Sequence, residues 1–142
     1  MSTESQSVRR AASLPAVGSV GPYGLIEQAR EGIPGQKAHD LAHRLELTDQ
    51  EMARILTLSL RTYHRRKGNE NLGLVASERL LLLHRLADHG VEVFEDAGKF
   101  NRWLRRPLQI LDGHAPLDLL DTSTGLGMVD TLLGRLEYGV FS

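Results

Sequence analysis

The 142-residue chain is 41% hydrophobic and 25% charged, an ordinary balance for one water-soluble domain or two small ones, and its lack of cysteine excludes disulfides, thiolate metal sites and cysteine nucleophiles. Its net charge of −1 conceals a split: residues 33–67 carry seven basic side chains against four acidic ones, whereas from Pro107 onward five acids face Arg135 alone, so two different partners are expected. There is no signal-peptide core and no apolar run of membrane-spanning length, so a cytoplasmic protein without membrane contact is expected.

Residues 1–24, rich in Ser, Gly, Ala and Val and without periodicity, read as a flexible tail in which Arg9 and Arg10 are solvated. A short helix is expected over 25–30, broken by Gly32, Pro34 and Gly35. Over 36–47, Ala38, Leu41, Ala42 and Leu45 fall on one helical face. Thr48 and Glu51 then form a capping box, and the helix they open turns Met52, Ala53, Ile55 and Leu56 inward. Ser59 caps a second short helix that runs to Lys67 and stops at Gly68 and Asn69.

Residues 71–76 read as a linker. Ser77 and Glu78 start a long helix whose Leu80 to Leu83, Leu86, Ala87, Val91 and Phe94 make it the most apolar stretch, with Gly90 marking a kink or a close helix crossing. A short helix over 99–106 buries Phe100, Trp103 and Leu104 and ends at Pro107. Pro116 heads a single turn over 117–120. Thr122 or Ser123 starts the last helix, which carries Met128, Val129, Leu132, Leu133 and Leu136. Leu, Arg and Ala favour helices, and no stretch alternates with period two. The fold class is all-α.

Two short helices joined by a tight turn, with the small Ala53 in the first, follow the plan of a helix-turn-helix. Such a unit offers base edges the first turn of its second helix and neutralises phosphate with its flanks. Arg61, Thr62 and Tyr63 are assigned to that exposed first turn, after Ser59 at the cap, and Arg65, Arg66 and Lys67 supply charge at its end. Gln50 suits a backbone phosphate. Thr57 stands where the turn usually has glycine, so either it accepts a less comfortable backbone or the turn differs. A single copy buries little DNA, which implies a dimer across two half-sites.

Ala53, Leu56, Ser59, Thr62 and Arg65 recur every third residue, with Arg66 beside the last. Ser77, Glu78 and Arg79 follow, then Trp103 and Leu104 with Pro107, then Pro116 to Leu120, then Gly134 to Gly139. Together these resemble the Xre/ParS/MbcA family of antitoxins, whose partners are RES-type toxins, and the likeness runs over residues 33–141. It implies an Xre-like DNA-binding part at 25–70, a linker and long core helix at 71–98, and a C-terminal toxin-binding domain at 99–142. It also implies a toxin that consumes NAD or transfers from it, and repression of the protein's own operon. Carried over by residue, Trp103, Pro107, Pro116, Leu117, Leu120 and Gly134 support the toxin-binding domain. Arg135, Glu137, Tyr138 and Gly139 of the motif, with Val140, Phe141 and Ser142 beyond it, are expected to meet the toxin, because an apolar, glycine-flanked tip can reach into a concavity and so cap its NAD-binding cleft. Asp118 belongs to the same motif. The partners expected are a RES-domain toxin and operator DNA, with assembly as a homodimer or a higher toxin–antitoxin hetero-oligomer.

Two other classes compete. One is a stand-alone helix-turn-helix repressor whose C-terminal region only dimerises. The other is an enzyme, and it has little support. His39 and His43 share a helix face without a third ligand and read as two exposed histidines, and His84 and His89 read as structural. Gly125 and Gly127 lack the strand and third glycine of a dinucleotide fingerprint. No catalysis, metal or cofactor is expected.

Overall fold

The computed structural model describes residues 21–139. Residues 1–20 of the assigned tail, with Arg9 and Arg10, and the tip residues Val140, Phe141 and Ser142 lie outside them, and the tail's last residues, Pro22 to Gly24, are helical instead. Among the described residues the protein is helical, and its only extended pairing is an isolated bridge between Pro34 and Asn71.

Helix α1 (Pro22–Glu31) begins before its apolar periodicity does, because Pro22 presets the helical φ and has no N–H to leave unpaired. Gly32 ends it at φ +90°. α2 (Gly35–Arg44), α3 (Asp49–Ile55) and α4 (Leu60–Arg65) follow, and α5 (Leu74–Phe94) is the long central helix. After it come α6 (Ala97–Leu104), 3₁₀ turns at Gln109–Leu111 and Pro116–Leu119, and α7 (Ser123–Glu137), capped by Thr122 through the Gly125 N–H.

The linker expected at 71–76 is half helix. Gly73 caps α5, and the first-turn residues Leu74 and Val75 face solvent, so the apolar rhythm starts after the helix does. Ser77 is therefore not a cap. It is fully buried, accepting the Ile33 N–H at 2.9 Å and donating to the Leu72 carbonyl at 3.1 Å, which ties the α1–α2 break to α5. Helices α1, α6 and α7 all pack on α5. Leu80, Leu81, Leu83, Leu86 and Ala87 form one core with residues from every other helix. Gly90 is the close crossing: a Cβ there would lie 2.2 Å from the Phe100 ring. Phe94, Phe100 and Trp103 form an aromatic cluster with centroids 5.5–6.1 Å apart.

In α7 the inward face includes Leu126, Val129, Leu132 and Leu133, whereas Met128 points outward.

Candidate functional site

The helix-turn-helix is α3 and α4. At the head of α3 both bonds of the capping box form: the Glu51 N–H donates to Thr48 Oγ1 at 3.1 Å, and the Thr48 N–H donates to Glu51 Oε1 at 2.9 Å. The turn passes through Thr57 at φ +61°, the left-handed region, where a β-branched residue costs on the order of 1–2 kcal/mol. The Thr57 hydroxyl donates to the Leu56 carbonyl, and the Leu58 N–H bonds the carbonyl of buried Ala53 at 2.9 Å, closing the turn against α3. Ser59 caps α4 by accepting the Thr62 N–H at 3.1 Å.

The residues assigned to DNA divide into two groups. Gln50, Ser59, Arg61, Arg65 and Lys67 are exposed, and Thr62 is half-buried beside the Ser59 hydroxyl. Tyr63 is not in an exposed first turn: it is 1% exposed and stacks on His39 with centroids 4.2 Å apart. Six residues make fewer than two turns, so α4 must bury its fourth position to pack at all. Burial, with Asp49 nearby, pushes the Tyr63 hydroxyl up to about 12. Arg66 folds back as a brace, Nη1 donating to the Asn71 carbonyl at 2.6 Å with Glu70 at 3.6 Å. His39, read as exposed, is half-buried by its stack on Tyr63. No cluster of three or more His, Cys, Asp or Glu side chains among the described residues could hold a metal.

At the C-terminal end Trp103, Pro116, Leu117 and Leu120 are buried, Gly134 is half-buried and Pro107 is exposed where it stops α6. Asp118 accepts the Ala115 N–H at 3.1 Å and so heads the second 3₁₀ turn. Along the end of α7 Arg135, Glu137, Tyr138 and Gly139 are exposed, Tyr138 at 83%. Glu137 also has a partner within the chain. His89 of α5 bridges Asp130 at 2.8 Å through Nδ1 and Glu137 at 3.2 Å through Nε2.

Two arginines join this end to α3. Arg105 pairs with Glu51, and Arg54 reaches the Leu117 carbonyl at 3.2 Å and Asp121 at 3.3 Å. Neither arginine was singled out from sequence, and His89 was read as structural with no partner named, because partners so far apart in the chain leave no spacing to read. The outcome is a helix-turn-helix unit and a helical C-terminal unit sharing one core, the first exposing cations and the second an aromatic helix end.

That class of protein is matched on both halves. Residues 24–85 match the antitoxin Xre-like helix-turn-helix domain, and residues 89–139 match the antitoxin Xre/MbcA/ParS C-terminal toxin-binding domain. The chain is 31% identical over 126 residues to an antitoxin Xre of Photorhabdus laumondii, spanning 87% of this chain and 84% of that protein. It is 28% identical over 131 residues to a Prs ADP-ribosylating antitoxin of Sphingobium sp., spanning 85% and 82%. Among solved structures, one from the M. tuberculosis MbcT-MbcA toxin-antitoxin complex is similar at a TM-score of 0.56 and 25% identity, covering 76% of this chain and 96% of that one. The chain belongs to the Xre/MbcA/ParS family and is an antitoxin of a toxin–antitoxin system. No described helix is long and apolar enough to cross a membrane.

Proposed function

We propose that the chain silences a RES-domain toxin by laying the end of α7 over the toxin's NAD-binding cleft. Arg135, Tyr138 and Gly139, followed by Val140, Phe141 and Ser142, make the contact, and Glu137 steadies the helix end through His89. Inhibition is by occupancy, so the antitoxin works in the cytoplasm without catalysis or a cofactor of its own. Tyr138 carries the reading: a large aromatic left 83% exposed at the end of a helix whose other face is buried. Tyrosine anchors interfaces well, because it offers a wide rigid surface at small entropic cost.

The exposed Gln50, Arg61, Arg65 and Lys67 support a second role, binding operator DNA as a homodimer or as the toxin–antitoxin complex and repressing the operon. Ser59 and Thr62 hold the reading helix in place, and Tyr63 and Arg66 brace it from behind.

The test is removal of residues 139–142 in cells co-expressing the RES-domain toxin, with intracellular NAD as the readout. Helical content is expected to be unchanged while NAD falls below the level that the full-length chain maintains. Full neutralisation by the truncated chain would overturn the reading.

A further inference from the structure

Helix α7 contains three glycines, and its own packing accounts for one. A Cβ on Gly125 would sit 1.7 Å from the Leu119 carbonyl oxygen, so the chain itself forbids a side chain there. At Gly127 and Gly134 nothing lies within 4 Å of where a Cβ would go, and neither has positive φ. Glycine inside a helix is costlier than alanine in backbone entropy. Intrachain contacts therefore give no reason for these two glycines.

They stand seven residues apart, two turns along one face, and Thr131, Arg135 and Tyr138 continue that stripe. Beside it, between α7 and the Gln109–Leu111 turn, runs a groove of about 470 Å³. The buried Leu111 and Leu132 and the exposed Ile110 and Met128 line it, together with Gly127, Thr131 and Arg135. Ile110 and Met128 are 52% and 50% exposed, so both are apolar surface left to water. Arg135 is exposed, has no ion pair among the described residues, and is the only basic residue after Pro107.

We infer that this groove docks the toxin, taking an apolar side chain between Ile110 and Met128 and a neighbouring carboxylate at Arg135, with toxin backbone drawn against Gly127. The inference rests on the toxin-binding reading above and adds a contact along the flank of α7 to the one at its end. Two observations choose the toxin over a second copy of this chain. The groove lies wholly within the stretch, residues 89–139, that matches a toxin-binding domain. Self-pairing would also set two acidic segments against each other, since from Pro107 onward five acids meet one arginine.

Full-length Gly127→Ala, Gly127→Gln and Arg135→Glu variants would be titrated calorimetrically against purified RES-domain toxin. The antitoxin alone would be followed by thermal melting and sedimentation. Gly127→Ala is expected to raise the melting temperature by about 2–5 °C. Gly127→Gln is expected to keep at least the wild-type melting temperature yet lose about tenfold or more in toxin affinity, as is Arg135→Glu. Stability gained while affinity is lost marks a glycine kept for a partner. Wild-type affinity in Gly127→Gln would overturn the inference. So would a changed oligomeric state with unchanged toxin affinity, which would assign the groove to self-association. If the wild-type chain fails to bind the toxin at all, the reading beneath this one falls, and the truncation experiment shows that separately.

Discussion

The guanidinium of Arg105 forks onto both carboxylate oxygens of Glu51, Nη1 to Oε2 at 2.9 Å and Nη2 to Oε1 at 2.8 Å. Nη2 also reaches the Glu46 carbonyl at 2.8 Å. One side chain at the end of α6 thus grips the first turn of α3 and the loop before it. Arg54 makes a second grip further along α3, so the helix-turn-helix and the C-terminal unit are held at two points beyond their shared core.

This pair gives a sharp acid dependence. The Arg105 hydrogen bond outweighs burial and, with the Thr48 N–H, lowers the Glu51 carboxyl from an ordinary 4.5 to about 2. A carboxylate depressed in the folded state contributes stability that is present above its unfolded pKa and lost as pH falls from there through the folded value. Glu51→Gln keeps a side chain able to close the capping box and removes only the charge. It is expected to cost about 1 kcal/mol at pH 7, the pair being partly exposed and screened. Urea melts of both proteins are expected to show that gap narrowing below pH 4.5 and closing near pH 2. A gap that does not change with pH would assign the loss to packing.

His89 has the opposite sign. Only the imidazolium can donate to Asp130 and Glu137 at once. Burial alone would lower its pKa, but hydrogen bonds to those two carboxylates, both on α7, outweigh burial and raise it above the ordinary 6.5. A group raised by folding stabilises fully below its unfolded pKa and ceases to do so as pH rises through the folded value. His89→Gln is therefore expected to cost up to about 1 kcal/mol near pH 5.5 and much less at pH 8.5. The end of α7 is the segment the bridge holds, so faster amide exchange at residues 134–138 in the variant, confined to acidic pH, is the accompanying signature. Equal exchange at both pH values would remove His89 as the holder of that end.

Much of this architecture could be read from local signals. The Thr48–Glu51 box, the Ser59 and Thr122 caps, the Gly32 break and the Gly90 crossing each depend on residues within one turn or on a single missing side chain. Thr57 too was legible as the strained position, since its place in the turn demands a left-handed backbone whatever residue stands there. Orientation was harder. Tyr63 was assigned the wrong side, because in a six-residue helix the apolar pattern fits more than one rotation. The start of α5 was missed because Leu74 and Val75 are apolar yet exposed. The His89, Arg54 and Arg105 contacts exist only once helices distant in sequence are packed, and the groove at Ile110 and Met128 is defined by what fails to cover it.

The short helix α4 separates its duties by face, and substitutions should separate them too. Tyr63→Phe leaves the stack on His39 in place and removes a buried hydroxyl that has no protein partner, so stability and operator binding are both expected to stay near wild type. Tyr63→Ala opens a cavity under the helix and should cost about 3–5 kcal/mol. Arg66→Ala severs the brace to Asn71 and is expected to lower stability. Arg61→Ala and Arg65→Ala remove exposed side chains and should change stability by no more than about 0.5 kcal/mol. On DNA the order reverses. Arg61, in the first turn, is expected to carry about 1–3 kcal/mol of base discrimination, and loss of Arg65 should weaken binding to all sequences and flatten the salt dependence by about one unit. Fluorescence anisotropy with the operator at several salt concentrations, beside thermal melts of each variant, reads both quantities. Should Tyr63→Phe abolish operator binding in a fully folded protein while Arg61→Ala does not, the reading face of α4 would have to be turned around.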